Sequence, residues 1–335
     1  MKAREHTDRI VLPDERVAVC GDWHGNQGWA RIVARALPHL APDVTTMLHL
    51  GDWWMPPDAF DEIFAETALT RFYLTVGNHE DFGRLSPLFD KYPGEAVRVS
   101  EIVWLLPRPA RLSIGGRNVL SLGGASSVDR ESRTEGVTWW PEEAVSDESV
   151  AAAIAGGPAD LMLTHESPAG TPVRAVREIL RSNPHWFTKA ALEASAASRA
   201  RVGQVWDAVR PELLAHGHMH VAAGGRTEDG RRVASLGREG HEGNVTILDM
   251  RTLRMTTPSL ATLRGYANDD DGSRRARELR ANSVAESLYT GVLDGLKPTP
   301  RALRDAQDYI DGLRSLEEIL EDVRRRHTRK PDENS

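Results

Sequence analysis

Short apolar runs, each closed by glycine and a polar side chain, recur along the first two thirds of the chain. Arg16-Val17-Ala18-Val19-Cys20 reads as a buried strand and leads into Gly21-Asp22-Trp23-His24-Gly25. A helix follows, because Trp29, Ile32, Val33, Ala36, Leu37 and Leu40 recur at helical spacing and Pro38 and Pro42 bracket its end. The run 45–50 predicts a second strand closed by Gly51-Asp52. Residues 60–69 predict a second helix, and 71–76 a third strand closed by Gly77-Asn78-His79-Glu80. Strand, turn and helix alternate, as in a parallel α/β sheet. Ligands of such sheets sit beyond the carboxyl ends of the strands, which is where these Asp, Asn and His residues fall.

From residue 102 the texture changes. Residues 102–105, 111–114 and 118–122 predict short strands, with Gly115-Gly116-Arg117 as a hairpin turn. A polar loop, 126–146, carries Arg130, Arg133, Trp139 and Trp140. A loop of that length in a compact domain is usually functional or disordered, and two tryptophans favour order. Residues 160–164 form a strand ending at His165, 172–209 are helical, and 212–216 form a strand ending at Gly217-His218-Met219-His220. Strands at 231–236, 244–249 and 253–257 are expected to form the second half of a β-sandwich. Past the polar stretch 268–273 the pattern is helical. Thr299-Pro300 supplies an N-cap and a first-turn proline, and Ser315-Leu316-Glu317-Glu318 a capping box. The expected organisation is a large domain over 1–265, a linker over 266–279 and a small helical unit over 280–330.

Composition narrows the setting. The chain has 335 residues, 40% hydrophobic and 27% charged, as a soluble globular protein does. Its one cysteine, Cys20, excludes a disulfide framework or a CxxC zinc site and reads as strand filler. Residues 1–15 are charged and no apolar run approaches the length of a membrane span, so a cytoplasmic setting with no membrane partner is expected. The formal charge of −7 argues against broad duplex nucleic-acid binding. It leaves room for a small nucleotide or nucleic-acid substrate held by metals.

One histidine at a strand end is more often a hydrogen-bonded residue than a ligand. Asp22, His24, Asp52, Asn78, His79, His165, His218 and His220 all lie just past apolar runs, and together they point to a centre for two metal ions. Gly-Asp-x-His-Gly at 21–25, Gly-Asp at 51–52, Gly-Asn-His-Glu at 77–80, His165 and Gly-His-x-His at 217–220 resemble the calcineurin-like metallophosphoesterase superfamily, in the family's order. The resemblance implies an α/β fold, a calcineurin-like four-layer αββα sandwich with a small all-α C-terminal appendage. It implies one divalent ion held by Asp22, His24, Asp52 and His220 and another by Asp52, Asn78, His165 and His218, with Asp52 shared. The thiolate-free donor set suits Mn, Fe or Zn. A metal-bridging hydroxide would attack phosphorus in line, with His79 as general acid. Phosphomonoesters and phosphodiesters are both candidate substrates, and a nuclease or a cyclic-nucleotide or dinucleotide phosphodiesterase is the alternative.

The second block, Gly51-Asp52-Trp53-Trp54-Met55-Pro56-Pro57, departs from protein Ser/Thr phosphatases. Met55 and Pro56 stand where those enzymes carry the Asp that orients the catalytic histidine and a phosphate-binding Arg. Arg130 and Arg133 are the candidates to supply positive charge at the phosphate. Of Trp23, Trp53 and Trp54, at least two are expected to pack, while any of them beside the ligands could stack on a base. Residues 283–326 resemble VbhA-type antitoxins, which obstruct Fic AMP-transferases. The inhibitory motif would be Thr290-Gly291-Val292-Leu293-Asp294-Gly295, with Asp for the usual Glu. This implies a regulatory alternative in which the C-terminal helices bind a Fic-type partner. The simpler reading is an appendage that packs on the catalytic domain or on a second copy.

Overall fold

The computed structural model describes residues 1–183, 186–267, 277, 280–285 and 298–328. In chain order the strands are β1 (Glu5–Thr7), β2 (Ile10–Leu12), β3 (Arg16–Cys20), β4 (Thr46–His49), β5 (Arg71–Leu74), β6 (Ala96–Arg98), β7 (Val103–Leu105), β8 (Ala110–Ile114), β9 (Arg117–Leu122), β10 (Leu161–Thr164), β11 (Leu213–His216), β12 (Ala223–Arg226), β13 (Arg232–Ser235), β14 (Val245–Asp249) and β15 (Arg254–Thr256). The helices are α1 (Gln27–Leu40), α2 (Pro57–Phe64), α3 (Phe82–Lys91), α4 (Asp147–Ala155), α5 (Arg174–Ser182), α6 (Lys189–Val209), α7 (Leu260–Ala267), α8 (Pro300–Ile310) and α9 (Leu316–Thr328).

One sheet runs β1-β6-β7-β5-β4-β3-β14-β15 and the other β12-β13-β11-β10-β9-β8-β2. The period-2 alternation of strand side chains builds the layers. Val17 and Val19 of β3 meet Leu161 and Leu163 of β10 between the sheets. Ala18 and Cys20 face the other way, into a core with Trp29 of α1 and Phe60 and Phe64 of α2. Met162 of β10 turns outward onto Val202 and Trp206 of α6. Both faces of both sheets are therefore covered, which makes the four-layer αββα sandwich. Cys20 is fully buried filler, as its strand position implies.

The strand sequence β3-β4-β5-β7 is parallel, as is β9-β10-β11-β13. One expectation fails here. Residues 244–256 do not join the second sheet: β14 pairs antiparallel with β3, Val245 opposite Cys20, and β15 follows it. Apolar alternation specifies which face of a strand is buried, but both sheets bury both faces, so it does not specify the sheet. The second helix starts at Pro57, since proline is favoured at the first helical position, and runs to Phe64. The helical stretch 172–209 is two helices, broken where Asn183 adopts a left-handed φ of 38°.

The buried amide of Asn244 ties the first metal-ligand turn to the core. Its Oδ1 accepts from Trp23 Nε1 at 2.8 Å and from Trp29 Nε1, and its Nδ2 donates to the carbonyls of Gly21 and Gly237. Trp23 is fully buried and serves packing. Asn244→Ala would strand two indole donors and two carbonyls, at ~1–3 kcal/mol for each group left unpaired. Urea unfolding is expected to show a loss of at least ~4 kcal/mol, the conservative end of that bookkeeping.

The C-terminal helices α8 and α9 form an all-α appendage. Leu313, between them, is 6% exposed and packs into the same core as Trp29. Tyr266 and Ala267 complete α7, with Tyr266 stacked on His39 at 4.9 Å. The linker stretch 268–273 and the motif Thr290–Gly295 lie outside the described residues. Among the described residues no helix is long and apolar enough to cross a membrane.

Candidate metal centre

The turns after β3, β4 and β11 have a shared peculiarity. Asp22, His24, Asp52, His218 and His220 hold left-handed φ values of 55°, 45°, 54°, 63° and 54°. Such backbone costs ~1–3 kcal/mol per non-glycine residue and persists where the surroundings impose it. Here the imposing contacts are backbone hydrogen bonds between blocks. Asp22 N–H donates to Gly51 O at 2.9 Å, and the Trp23 and His24 N–H groups donate to Asp52 O at 2.9 and 2.8 Å. Two motif glycines are required by close approach. A Cβ at Gly77 would collide with the Asp52 carboxylate, and one at Gly217 with that of Asp22.

Every candidate ligand named from the sequence arrives at one spot. Ligand atoms of Asp22, His24, Asp52 and His220 lie within 4.8 Å of one another, as do those of Asp52, His165 and His218. Asp52 belongs to both groups. Its Oδ2 is 3.4 Å from His24 Nε2, and its Oδ1 is 3.2 Å from His165 Nε2. Asn78 Oδ1, 2.9 Å from His165 Nε2, joins the second group. His220 Nε2 is 3.5 Å from Asp22 Oδ1.

Three observations fit this set to divalent ions. Asp22 Oδ2 is buried and has no hydrogen-bond partner among the described residues. His24 Nδ1 donates to Glu239 Oε2 at 3.0 Å, and His165 Nδ1 to Leu50 O at 2.6 Å, so both rings turn Nε2 inward. Metal-binding histidines are held from behind in this way. The donors are oxygen and imidazole nitrogen throughout.

The charges are mutually dependent. Burial works against the Asp22 and Asp52 carboxylates. The histidines around them, His220 and His165 for Asp22 and His165 and His79 for Asp52, nonetheless hold both below the usual carboxylate range. Burial would lower His24 and His165, but carboxylates override it. Asp52 and Glu239 push His24 up to about 11, and Asp52 pushes His165 up to about 10. A cation entering the cluster thus displaces protons. By contrast His49 and His216, inside β4 and β11, are pushed down by burial to about 3 and about 4 and stay neutral in the sheet interior.

Glu239 was not legible as a functional residue, since no motif surrounds it. Losing the partner behind a ligating histidine typically weakens metal binding about 10–100-fold. Glu239→Gln is expected to do so, read by competition with a metal-chelating dye.

His79 Nε2 lies 4.0 Å from Asp52 Oδ2. The side chain against it is Arg133, whose Nη2 is 2.7 Å from Nδ1 and 2.8 Å from Nε2. Arg133 is held in turn by Asp129 Oδ2 at 2.7 Å. Burial lowers the pKa of His79, and Arg133 and His24 push the same way against Asp52. Arg130 instead reaches back to the carbonyl of Ala190, at the start of α6, at 3.4 Å. The long loop also serves the second ligand group. Asn78 Nδ2 donates to Ser127 Oγ at 2.9 Å, and Glu143 accepts from Ser127 N–H at 2.6 Å, from its hydroxyl at 2.9 Å and from Trp139 Nε1 at 2.9 Å. Burial raises the Glu143 carboxyl to about 7. Ser127, Asp129 and Glu143 escaped sequence reading. The four-residue spacing of Asp129 and Arg133 was the one visible signal. Trp53 is buried at 3% exposure, whereas Trp54 is 58% exposed beside Asp52.

Residues 291–326 match the family model of antitoxin VbhA. No curated protein matches the chain. Among solved structures, TT1561 of Thermus thermophilus is 13% identical with a TM-score of 0.44, covering 73% of this chain and 99% of its own. A dimetal phosphatase from Danio rerio is 10% identical with a TM-score of 0.45, covering 74% and 97%. A 5'-nucleotidase from Candida albicans is 12% identical with a TM-score of 0.39, covering 83% and 60%. Family membership rests instead on residues 15–222, more than half of the chain, which match the calcineurin-like phosphoesterase model. Those residues carry the ligand blocks that converge on Asp52, and the chain belongs to the calcineurin-like phosphoesterase family.

Proposed function

We propose that the chain hydrolyses phosphoesters at a pair of divalent ions, Mn, Fe or Zn, with His79 protonating the leaving oxygen. The observation that carries this reading is Asp52, which turns one carboxylate oxygen to each of two ligand groups. When bound, two such ions supply an activated water and neutralise charge on the phosphoryl oxygens. The residues of the chain do the rest. Asp22, His24 and His220 complete one ligand group, and Asn78, His165 and His218 the other. His79 stands at the edge of both, and Arg133, pinned by Asp129, orients its ring and adds positive charge where Met55 and Pro56 supply none. Arg130 is the outlying candidate for substrate contact.

The test is reconstitution with each metal, counting ions per chain and measuring turnover. The panel holds aryl monoesters, aryl diesters, dinucleotides and single-stranded DNA. Two ions per chain with metal-dependent turnover are expected, and one ion or none after reconstitution overturns the two-ion reading. Turnover confined to diesters or to DNA would select the phosphodiesterase or nuclease alternative.

The match of residues 291–326 to antitoxin VbhA favours a second role beside the first. In it, the C-terminal helices within 280–330 bind a Fic-type protein. Co-elution of the full chain with a Fic AMP-transferase is expected on this reading, and separate elution rejects it.

A further inference from the structure

The appendage is anchored beside the first metal-ligand turn. The carboxylate of Asp311, just after α8, is 1% exposed. It pairs with Arg264 Nη1 of α7 at 2.9 Å and with Arg277 at 3.1 Å, and accepts from Gln307 Nε2 at 2.9 Å. Leu313 packs into the catalytic core, and its backbone lies against Gly28 so closely that a Cβ there would collide with it. Gly28 is in the first turn of α1, four residues after His24. Between the two parts lies a cleft of about 1200 Å³, with His24 in its wall.

The charge of this cleft runs against that of the chain. A chain with a formal charge of −7 lines it with six arginines and five carboxylates. Several of the carboxylates are occupied. Glu239 holds His24, Asp305 holds Arg314 at 2.7 Å, and Glu318 caps the Ser315 N–H at 2.7 Å. Asp308 is partly buried between Arg264 and Arg314, whose charges act on its carboxyl against the effect of burial. Glu321 is the remaining one. On the cationic side Arg31 of α1 touches only the Gln27 amide, at 3.2 Å, and Arg304 of α8 has no carboxylate partner among the described residues. Arg238 has only Glu239, at 3.9 Å, which His24 already engages. Among the described residues, three arginines from both parts of the molecule thus face the cleft without a firm partner.

We propose that this cleft is a composite anion subsite, which takes a phosphorylated compound bearing a second phosphate group while the scissile phosphate sits at the metal centre. The proposal rests on the phosphoesterase reading for the second half of that statement only. The appendage is then part of the substrate site, because Arg304 comes from it.

The test uses the full metal-loaded chain. Adenosine 3',5'-bisphosphate and adenosine 5'-monophosphate are titrated by calorimetry at fixed free metal, and both serve as competitors of 4-nitrophenyl phosphate turnover. The bisphosphate is expected to bind about tenfold tighter or more, as charge-assisted contacts to a second phosphate require. Arg31→Glu and Arg304→Glu should each bring that ratio close to one. Arg174→Glu, on the exposed surface of α5, should keep it. Equal affinity for the two nucleotides in the wild-type chain, or a ratio that survives Arg304→Glu, overturns the proposal. A chain that binds the bisphosphate preferentially but hydrolyses no ester overturns the phosphoesterase reading and leaves the anion subsite standing.

Discussion

Asp52→Asn is expected to lower turnover of aryl phosphates by about 10³-fold or more and to reduce bound metal below two ions per chain. The substitution keeps the shape of the side chain, and its amide oxygen can still accept the N–H groups of Asn78 and His79, which Asp52 Oδ1 takes at 3.1 and 2.9 Å. What it removes is the anionic oxygen facing His24, 3.4 Å away, and the charge shared by both ligand groups. An amide N–H₂ in that place also offers hydrogens where a cation must sit. Losing a residue that only supports a ligand costs about 10–100-fold in metal affinity or activity, so losing a ligand common to two ions should exceed that range. Elemental analysis of the desalted chain with a kcat measurement decides it. Two ions per chain and undiminished turnover would refute the shared role of Asp52.

His79→Asn is expected to leave metal content intact and to lower kcat by about 10²–10⁴-fold on an alkyl phosphate, the usual contribution of a positioned general acid. The loss should be much smaller on 4-nitrophenyl phosphate, whose leaving group departs without a proton. This contrast separates proton donation from simple binding, because lost binding would affect both substrates alike. Equal losses on the two substrates would remove His79 from the role of acid. Arg133 and Asp129 contact or support the ring and not the ligands, so their substitution belongs with the His79 pattern and not with the Asp52 pattern.

How much of this was legible in the chain differs from block to block. All seven candidate ligands could be named because each follows an apolar strand, and two of the glycines that mark them are demanded by contact with a ligand of another block. The four-layer sandwich is implied by the resemblance of those blocks to the family, and strands apolar on both faces agree with it. Metal sites built this way leave a local trace, since every ligand must sit at a turn. The supporting residues leave none. Glu239, Ser127, Glu143 and Asn244 look like ordinary loop polar residues, and their roles come chiefly from partners as far as 223 positions away. The placement of β14 beside β3 leaves no local trace either, because pairing joins positions more than two hundred residues apart.

Residue order alone placed the candidate ligands at strand ends, because each such block is local, while the fold class and the place of Asp52 in both groups are implied by the resemblance of those blocks to the calcineurin-like family. The packed chain was needed to show that Arg133 with Asp129, and not Arg130, stands against His79. It was needed again to show that Trp23 packs while Trp54 is exposed, and that the C-terminal helices wall a cleft opening at His24. These are matters of which distant side chains meet. Burial and hydrogen-bond partnership are properties of the packed whole, and no local spacing encodes them.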